Sequence, residues 1–215
     1  MRLTVFGATG RTGIPLLEQA LSRGHEVVAF VRNPEKLSEE LRDHESVTVV
    51  EGDAYTGENV GSAIDVETDA VVSVLGQSKE SPDDLLTAAG EHILAAMDDH
   101  GVERFVTLVG AGVREDGESV SLSGRVMGAL LKLLARAALE DARDHVAMVR
   151  ASGGRWTVVR GPRLTEDDHT GEFRHGTDIE LGMSATAARA NVAEFILDCL
   201  ENGEYVNQMP KIADR

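Results

Sequence analysis

The stretch VFGATGRTG at residues 5–13 sets Gly7, Gly10 and Gly13 three apart, directly after a short apolar run. Glycines at this spacing, between a strand and a helix, let the backbone turn tightly, approach a pyrophosphate and pack the helix onto the sheet. The amino terminus of such a helix offers unpaired N–H groups and the positive end of its dipole to the phosphates. No Lys-Ser/Thr pair follows the glycines, so the loop is not a P-loop. A dinucleotide site that holds a free ribose 2′-hydroxyl carries an Asp or Glu about 20 residues further on. Here Arg32 stands 19 residues after Gly13, Lys36 follows it, and Arg11 lies inside the loop. Cations converging at that point favour a 2′-phosphate, hence NADP(H) over NAD(H), and with it hydride chemistry.

Proton transfer is the other half of such chemistry, and here the usual residues are missing. Hydride transfer to a carbonyl is commonly supported by a Tyr-x-x-x-Lys pair, in which the lysine lowers the tyrosine pKa. Tyr55 and Tyr205 are the two tyrosines, and neither has a lysine four residues on. Carbonyl reduction or sugar epimerisation by that machinery is therefore disfavoured. Ser119, Ser121 and Ser123 offer hydroxyls elsewhere, and His145 reads as a helix-surface or partly packed histidine. Asp167, Asp168, His169 and His175 match no tight metal-ligand spacing and read as a solvated loop at the mouth of a cleft. Arg160 and Arg163 bracket Pro162, where ligands of open α/β sheets bind. Either one of them meets an anionic substrate, or they pair with the chain's many carboxylates.

The elements that must position these groups alternate along the chain. Buried strands are expected at 2–7, 25–32, 47–53, 69–76, 104–111 and 155–161, where apolar runs are rich in β-branched residues. Helices are expected at 12–24, from Pro34 through LSEELRDH, at 59–64, 83–101 and 186–203, and over 121–150 with a break near Leu139–Asp144. Residues 171–182 suggest two short strands or a hairpin, and YVNQM at 205–209 a final strand. Strands alternating with helices imply an α/β fold: one doubly wound parallel sheet with helices on both faces. A single domain over 1–215 is expected, with the substrate-side elements in about 112–215.

Composition narrows the partners. The chain carries 37 acidic against 21 basic residues, a formal charge of −16, which argues against nucleic acid and anionic membranes. The scarcity of lysine (Lys36, Lys79, Lys132 and Lys211) beside so many acids suits a salt-adapted host, though an ordinary acidic protein has the same signature. Cys199, the single cysteine, excludes an intramolecular disulfide and reads as a small core residue. No signal-peptide pattern precedes the first strand, and no apolar run reaches the ~18 residues of a membrane span, so a cytoplasmic protein is expected. The segment GALLKLLARAAL (128–139) is apolar around most of a helix, which buries it, lays it over a cleft or makes it a homo-oligomer contact.

Several motifs together carry a family resemblance: VFGATGRTG, VRNPEKL (31–37), EGD (51–53), SVLG (73–76), AAMDDHGVERFV (95–106) and SGGRWTVVRGP (152–162). The chain resembles atypical short-chain dehydrogenases, in particular the NmrA-like proteins and the biliverdin-IXβ/flavin reductases, over nearly its whole length. The resemblance implies that the loop of Gly7, Thr9, Gly10, Arg11, Thr12 and Gly13 holds the pyrophosphate, and that Arg32 and Lys36 hold the 2′-phosphate. It further implies that Asp53 and Ala54 meet the adenine and that Leu75, Gly76 and Gln77 line the ribose and diphosphate side. Val109 and Gly110, with Pro162, Arg163 and Leu164, would frame the nicotinamide. The flavin reductases carry a serine where this chain has Gly110, so a hydroxyl is lost, a loss that flavin reduction tolerates. The expected activity is hydride transfer to a flavin, quinone or similar conjugated small-molecule acceptor. A non-catalytic NADP(H)-binding redox sensor is the alternative. A sugar-nucleotide epimerase or dehydratase descendant is disfavoured by the short carboxyl-terminal portion.

Overall fold

A computed structural model describes residues 1–78, 80–115, 118 and 135–215. Its strands are β1 (Arg2–Phe6), β2 (Glu26–Val31), β3 (Val47–Glu51), β4 (Ala70–Ser73), β5 (Arg104–Gly110), β6 (Arg155–Gly161), β7 (Arg163–Thr165), β8 (Phe173–Gly176), β9 (Thr186–Ala188) and β10 (Lys211–Asp214). The helices are α1 (Gly13–Ser22), α2 (Glu39–Arg42), α3 (Val60–Ala63), α4 (Leu85–His100), α5 (Arg136–Ala151) and α6 (Arg189–Glu201), with a 3₁₀ turn at Pro34–Lys36. Eight strands form one sheet in the order β3-β2-β1-β4-β5-β6-β10-β8, parallel except for β8, which runs antiparallel to β10 at the edge. The winding reverses between β1 and β4, and the crevice at the carboxyl ends of these strands is where doubly wound sheets bind ligands.

Strand residues alternate between two cores, as period-two geometry requires. Leu3, Val5, Val27, Ala29, Ala70 and Val72 pack with α1 and α6 on one face. Phe6, Val28, Phe30, Val71, Phe105 and Val158 pack with α4 and α5 on the other. Both faces are covered, which is why these strands read as continuous apolar runs. The amino terminus of α6 meets that of α1 at Arg189–Thr12, and their far ends meet at Arg23–Asp198. Both helices therefore present their positive ends at the carboxyl edge of the sheet.

Several elements differ from expectation. Residues 205–209 are not a strand: Tyr205 and Asn207 have φ of 54° and 57°, left-handed values that a strand cannot use. The last strand comes later, at Lys211–Asp214. Residues 171–182 supply only β8, while β7 and β9 pair in a separate two-stranded sheet. The helix expected after Pro34 divides into the 3₁₀ turn and α2, which Ser38 caps by accepting from the Leu41 amide at 3.3 Å. Helix α5 runs unbroken through Leu139–Asp144. Ser119, Ser121, Ser123 and residues 128–134 of the apolar segment lie outside the described residues.

Candidate functional site

At Gly7 and Gly13 the glycine loop is built by contacts that leave no room for a side chain. Gly7 has φ +85° and lies where a Cβ would come 3.0 Å from the backbone of Val74 and Leu75. A Cβ on Gly13 would sit 2.1 Å from the Gly7 carbonyl oxygen and 2.7 Å from that of Ala8, so α1 begins in direct contact with the loop. The Gly10 amide donates to the Gly7 carbonyl at 2.9 Å, which closes the turn. Thr12 is the N-cap of α1 but makes no side-chain cap hydrogen bond. The residue three further on is Pro15, which has no N–H for Thr12 to accept. In the first turn of α1 the Ile14 amide donates to the Gly10 carbonyl at 3.0 Å and the Leu16 amide to that of Thr12 at 3.2 Å, so what the helix start offers phosphate oxygens is chiefly the positive end of its dipole. Arg11 is well exposed and pairs with Glu166 at 3.0 Å.

Arg32 and Lys36 follow β2 at the carboxyl edge, both exposed. Among the described residues neither side chain makes a hydrogen bond or an ion pair, although acids outnumber bases 37 to 21. Asn33 orders the segment between them, its side chain accepting from the Glu35 amide at 2.9 Å. At the end of β3, Asp53 accepts the Tyr55 amide at 2.9 Å, and Ala54 is buried beside it. A Cβ on Gly52 would lie 2.7 Å from the Phe30 ring, so the β2 and β3 ends are held close together.

Leu75, Gly76 and Gln77 continue from β4 next to Gly7. The Gln77 amide donates to Asp141 Oδ2 at 2.5 Å and to the Asp83 carbonyl at 2.8 Å. Asp141, on α5, also accepts from the Leu86 and Thr87 amides, both at 2.9 Å, and so caps the start of α4. One turn along α5, His145 is buried rather than on the helix surface, with its Nε2 3.0 Å from Thr107 Oγ1 on β5. Burial, only partly offset by the Asp141 charge, pushes its pKa down to about 4, so the ring is neutral at physiological pH. This histidine is a packed structural group inside the wall behind the crevice.

At the ends of β5 and β6, Gly110 is exposed and a Cβ there would meet nothing within 4 Å among the described residues. Val109 is buried, while Pro162, Arg163 and Leu164 lead from β6 into β7. The two arginines flanking Pro162 have different fates. Arg163 is exposed, whereas Arg160 is wholly buried and donates to Glu118 at 2.6 Å and to the Met209 carbonyl at 2.8 Å. Lys211 reaches the other Glu118 oxygen, also at 2.6 Å. Burial alone would raise the Glu118 pKa, but the hydrogen bonds from Lys211 and Arg160 overcome this and bring it down to about 2. Arg160 is thus an internal clamp on the segment after β5.

Neither phenol is tuned for acid–base work. The Asp84 carboxylate raises the Tyr55 pKa through its charge and a hydrogen bond, and burial raises that of Tyr205, which bonds His175 Nδ1 at 2.8 Å. Cys199 is buried and its thiol is pushed up to about 12 by desolvation, so it is not a nucleophile. Among the described residues, no group of His, Cys, Asp and Glu could hold a metal, and no helix is long and apolar enough to cross a membrane.

The crevice therefore brings together the glycine loop, Arg32, Lys36, Asp53, Leu75–Gln77 and the ends of β5 and β6, all at the carboxyl edge of one sheet. Sequence reasoning missed Asp141, Glu118 and Arg189. Asp141 and Glu118 look like any other acids in an acidic chain, and no local pattern signals their long-range partners.

The fold recurs among known proteins. The family described as NAD(P)H-binding matches residues 7–203. The whole chain aligns, at 28% identity, with 77% of an uncharacterized chloroplastic protein of Arabidopsis thaliana. A short-chain dehydrogenase/reductase of Veillonella parvula, solved in complex with NADP, matches with a TM-score of 0.82 at 18% identity, over 99% of this chain and 94% of that one. A Streptococcus pneumoniae protein proposed to be an NADH-flavin reductase matches with a TM-score of 0.76 at 21% identity, over all of both chains. At these identities the structural matches establish the shared fold. The chain belongs to the NAD(P)H-binding family and has its Rossmann-like fold in common with these structures.

Proposed function

We propose that the chain is an NADP(H)-dependent oxidoreductase that passes hydride to a flavin, quinone or similar conjugated acceptor without a Tyr-Lys pair. The observation that carries the cofactor choice is the pair Arg32 and Lys36, exposed at the end of β2 and engaged by no carboxylate among the described residues. Arg143, Arg150 and Arg174 are also exposed without an ion pair among the described residues, so what distinguishes Arg32 and Lys36 is their place after β2, beside the glycine loop at the carboxyl edge, where a 2′-phosphate would lie. The loop of Gly7, Thr9, Gly10, Arg11, Thr12 and Gly13 would take the diphosphate, with Arg32 and Lys36 on the 2′-phosphate. Asp53 and Ala54 would border the adenine, and Leu75, Gly76 and Gln77 the ribose. When bound, the nicotinamide supplies a hydride. Val109, Gly110, Pro162, Arg163 and Leu164 would frame the nicotinamide and border the acceptor. The NADP bound by the Veillonella relative and the NADH-flavin reductase proposal for the streptococcal one are in keeping with this reading.

The acceptor class follows from what the site lacks. A carbonyl needs a proton donor as hydride arrives, and Tyr55 and Tyr205 are both shifted away from that role. An isoalloxazine or quinone ring is its own electron sink, so proximity and stacking supply most of the catalysis. Gly110, exposed at the end of β5, sets no side chain of its own against such a ring. The same missing groups suit a redox sensor that distinguishes oxidised from reduced cofactor and turns nothing over. Steady-state NADPH oxidation with a panel of flavins and quinones separates the two. Turnover well above the buffer rate supports the enzyme, whereas cofactor-state discrimination without turnover supports the sensor.

A further inference from the structure

Arg189 opens α6 and reaches across to the glycine loop, where its Nη1 donates to Thr12 Oγ1 at 3.3 Å. That hydroxyl is available because Pro15 cannot use it as a cap. The position of Arg189 is fixed from behind. Asp214 accepts the Ala188 amide at 2.7 Å and the Asn191 side chain at 2.8 Å, while β9, immediately before α6, pairs with β7.

The guanidinium is incompletely served by the protein. Its Nε is buried with no hydrogen-bond partner among the described residues. No carboxylate there lies within ion-pair distance, because Glu166, whose charge it feels, gives its oxygen to Arg11. Burial and then the like charge of Arg11 both lower its pKa, so the surroundings disfavour this cation. A buried donor without an acceptor, a second arginine and two helix amino termini at one place call for an anion with several oxygens.

We propose that Arg189 is a binding residue for the diphosphate bridge of the dinucleotide, forming a second arm to the glycine loop. The proposal rests on the cofactor reading above. It assigns Arg189 to the part common to both cofactors, so its role differs from that of Arg32, which would read the 2′-phosphate alone.

Calorimetric titration of the full chain with NADPH, NADH and adenosine 2′-monophosphate tests it, using the wild type, Arg189→Ala and Arg189→Lys. The expected result is that Arg189→Ala weakens NADPH and NADH alike, by roughly 10- to 100-fold as for a lost charge-assisted hydrogen bond. It should leave adenosine 2′-monophosphate unchanged, and Arg189→Lys should restore part of the affinity. Unchanged dinucleotide affinity in Arg189→Ala overturns the proposal and leaves the cofactor reading standing. A loss confined to NADPH also overturns it, since Arg189 would then serve the 2′-phosphate. Should Arg189→Ala fail to fold, Arg189→Lys decides by the same comparison, because its shorter, non-planar head cannot reproduce the guanidinium's contacts. A wild type that binds neither dinucleotide overturns both readings.

Discussion

Gly13 and Gly10 separate what the loop does for the fold from what it does for a ligand. A Cβ at Gly13 would stand 2.1 Å from the Gly7 carbonyl oxygen, and real Cβ contacts essentially never fall below 3.0 Å. Gly13→Ala must therefore push the start of α1 away from the loop by nearly 1 Å, against a helix packed through the buried Leu16, Leu17 and Ala20. Overpacking of this kind costs about 1–3 kcal/mol. For a chain of this size that lowers the midpoint of thermal unfolding by roughly 2–10 °C. The same shift displaces the helix amino terminus from the loop and should weaken cofactor binding. Gly10 differs, because its Cβ would meet only the Gly7 oxygen at 3.0 Å and then nothing nearer than 4.0 Å. Gly10→Ala should leave the unfolding midpoint within about 2 °C of wild type. It should still weaken NADPH binding by 10-fold or more on the order expected for blocked backbone–pyrophosphate approach. Thermal unfolding followed by circular dichroism and NADPH titration by fluorescence read the two effects. Wild-type stability and affinity in Gly13→Ala would refute the close helix–loop approach, and wild-type affinity in Gly10→Ala would refute the loop as the phosphate site.

The remaining predictions concern proton linkage, charge and the empty hydroxyl position. Burial depresses His145 to about 4 from an ordinary 6.5, so the unfolded chain takes up this proton first and stability falls as pH drops from 6.5 towards 4. The full loss is about 3 kcal/mol, and unfolding midpoints of His145→Gln should show a shallower decline over that window. Glu118 is depressed to about 2 from 4.5, so its contribution is present above pH 4.5 and is lost as pH falls towards 2. Glu118→Gln strands the buried Arg160 and Lys211 and should cost about 3 kcal/mol at neutral pH in denaturant titration. Gly110→Ser meets no described residue with its side chain, so it should fold as wild type. If acceptor chemistry takes place there, kcat with flavin acceptors should change while the NADPH dissociation constant does not.

The fold was legible where one stretch of chain carries the whole signal. Both-face burial made β1, β2, β4, β5 and β6 continuous apolar runs, and the glycine loop is a local strand-turn-helix motif. β10 escaped notice because its ends are Lys211 and Asp214. Their polar groups are used up far away, at Glu118 and at the start of α6. His145 reads in sequence as a helix-surface or partly packed residue, but that face of α5 is turned inward onto Thr107 and α4. Arg189 contacts a residue 177 positions distant, a relation that no periodicity encodes. Arg160 and Arg163 look equivalent in sequence, and only the packing of β6 against β10 makes one an internal clamp and leaves the other exposed.

The central claim is that a 2′-phosphate is read by cations at the end of β2. Its most direct test is the ratio of NADH to NADPH dissociation constants for the purified chain and for Arg32→Ala. The account predicts that the wild type prefers NADPH by about 10-fold or more, as one charge-assisted contact supplies. Arg32→Ala should bring the ratio close to one, mainly by weakening NADPH. Equal affinities in the wild type, or equal losses for both cofactors in Arg32→Ala, would contradict it.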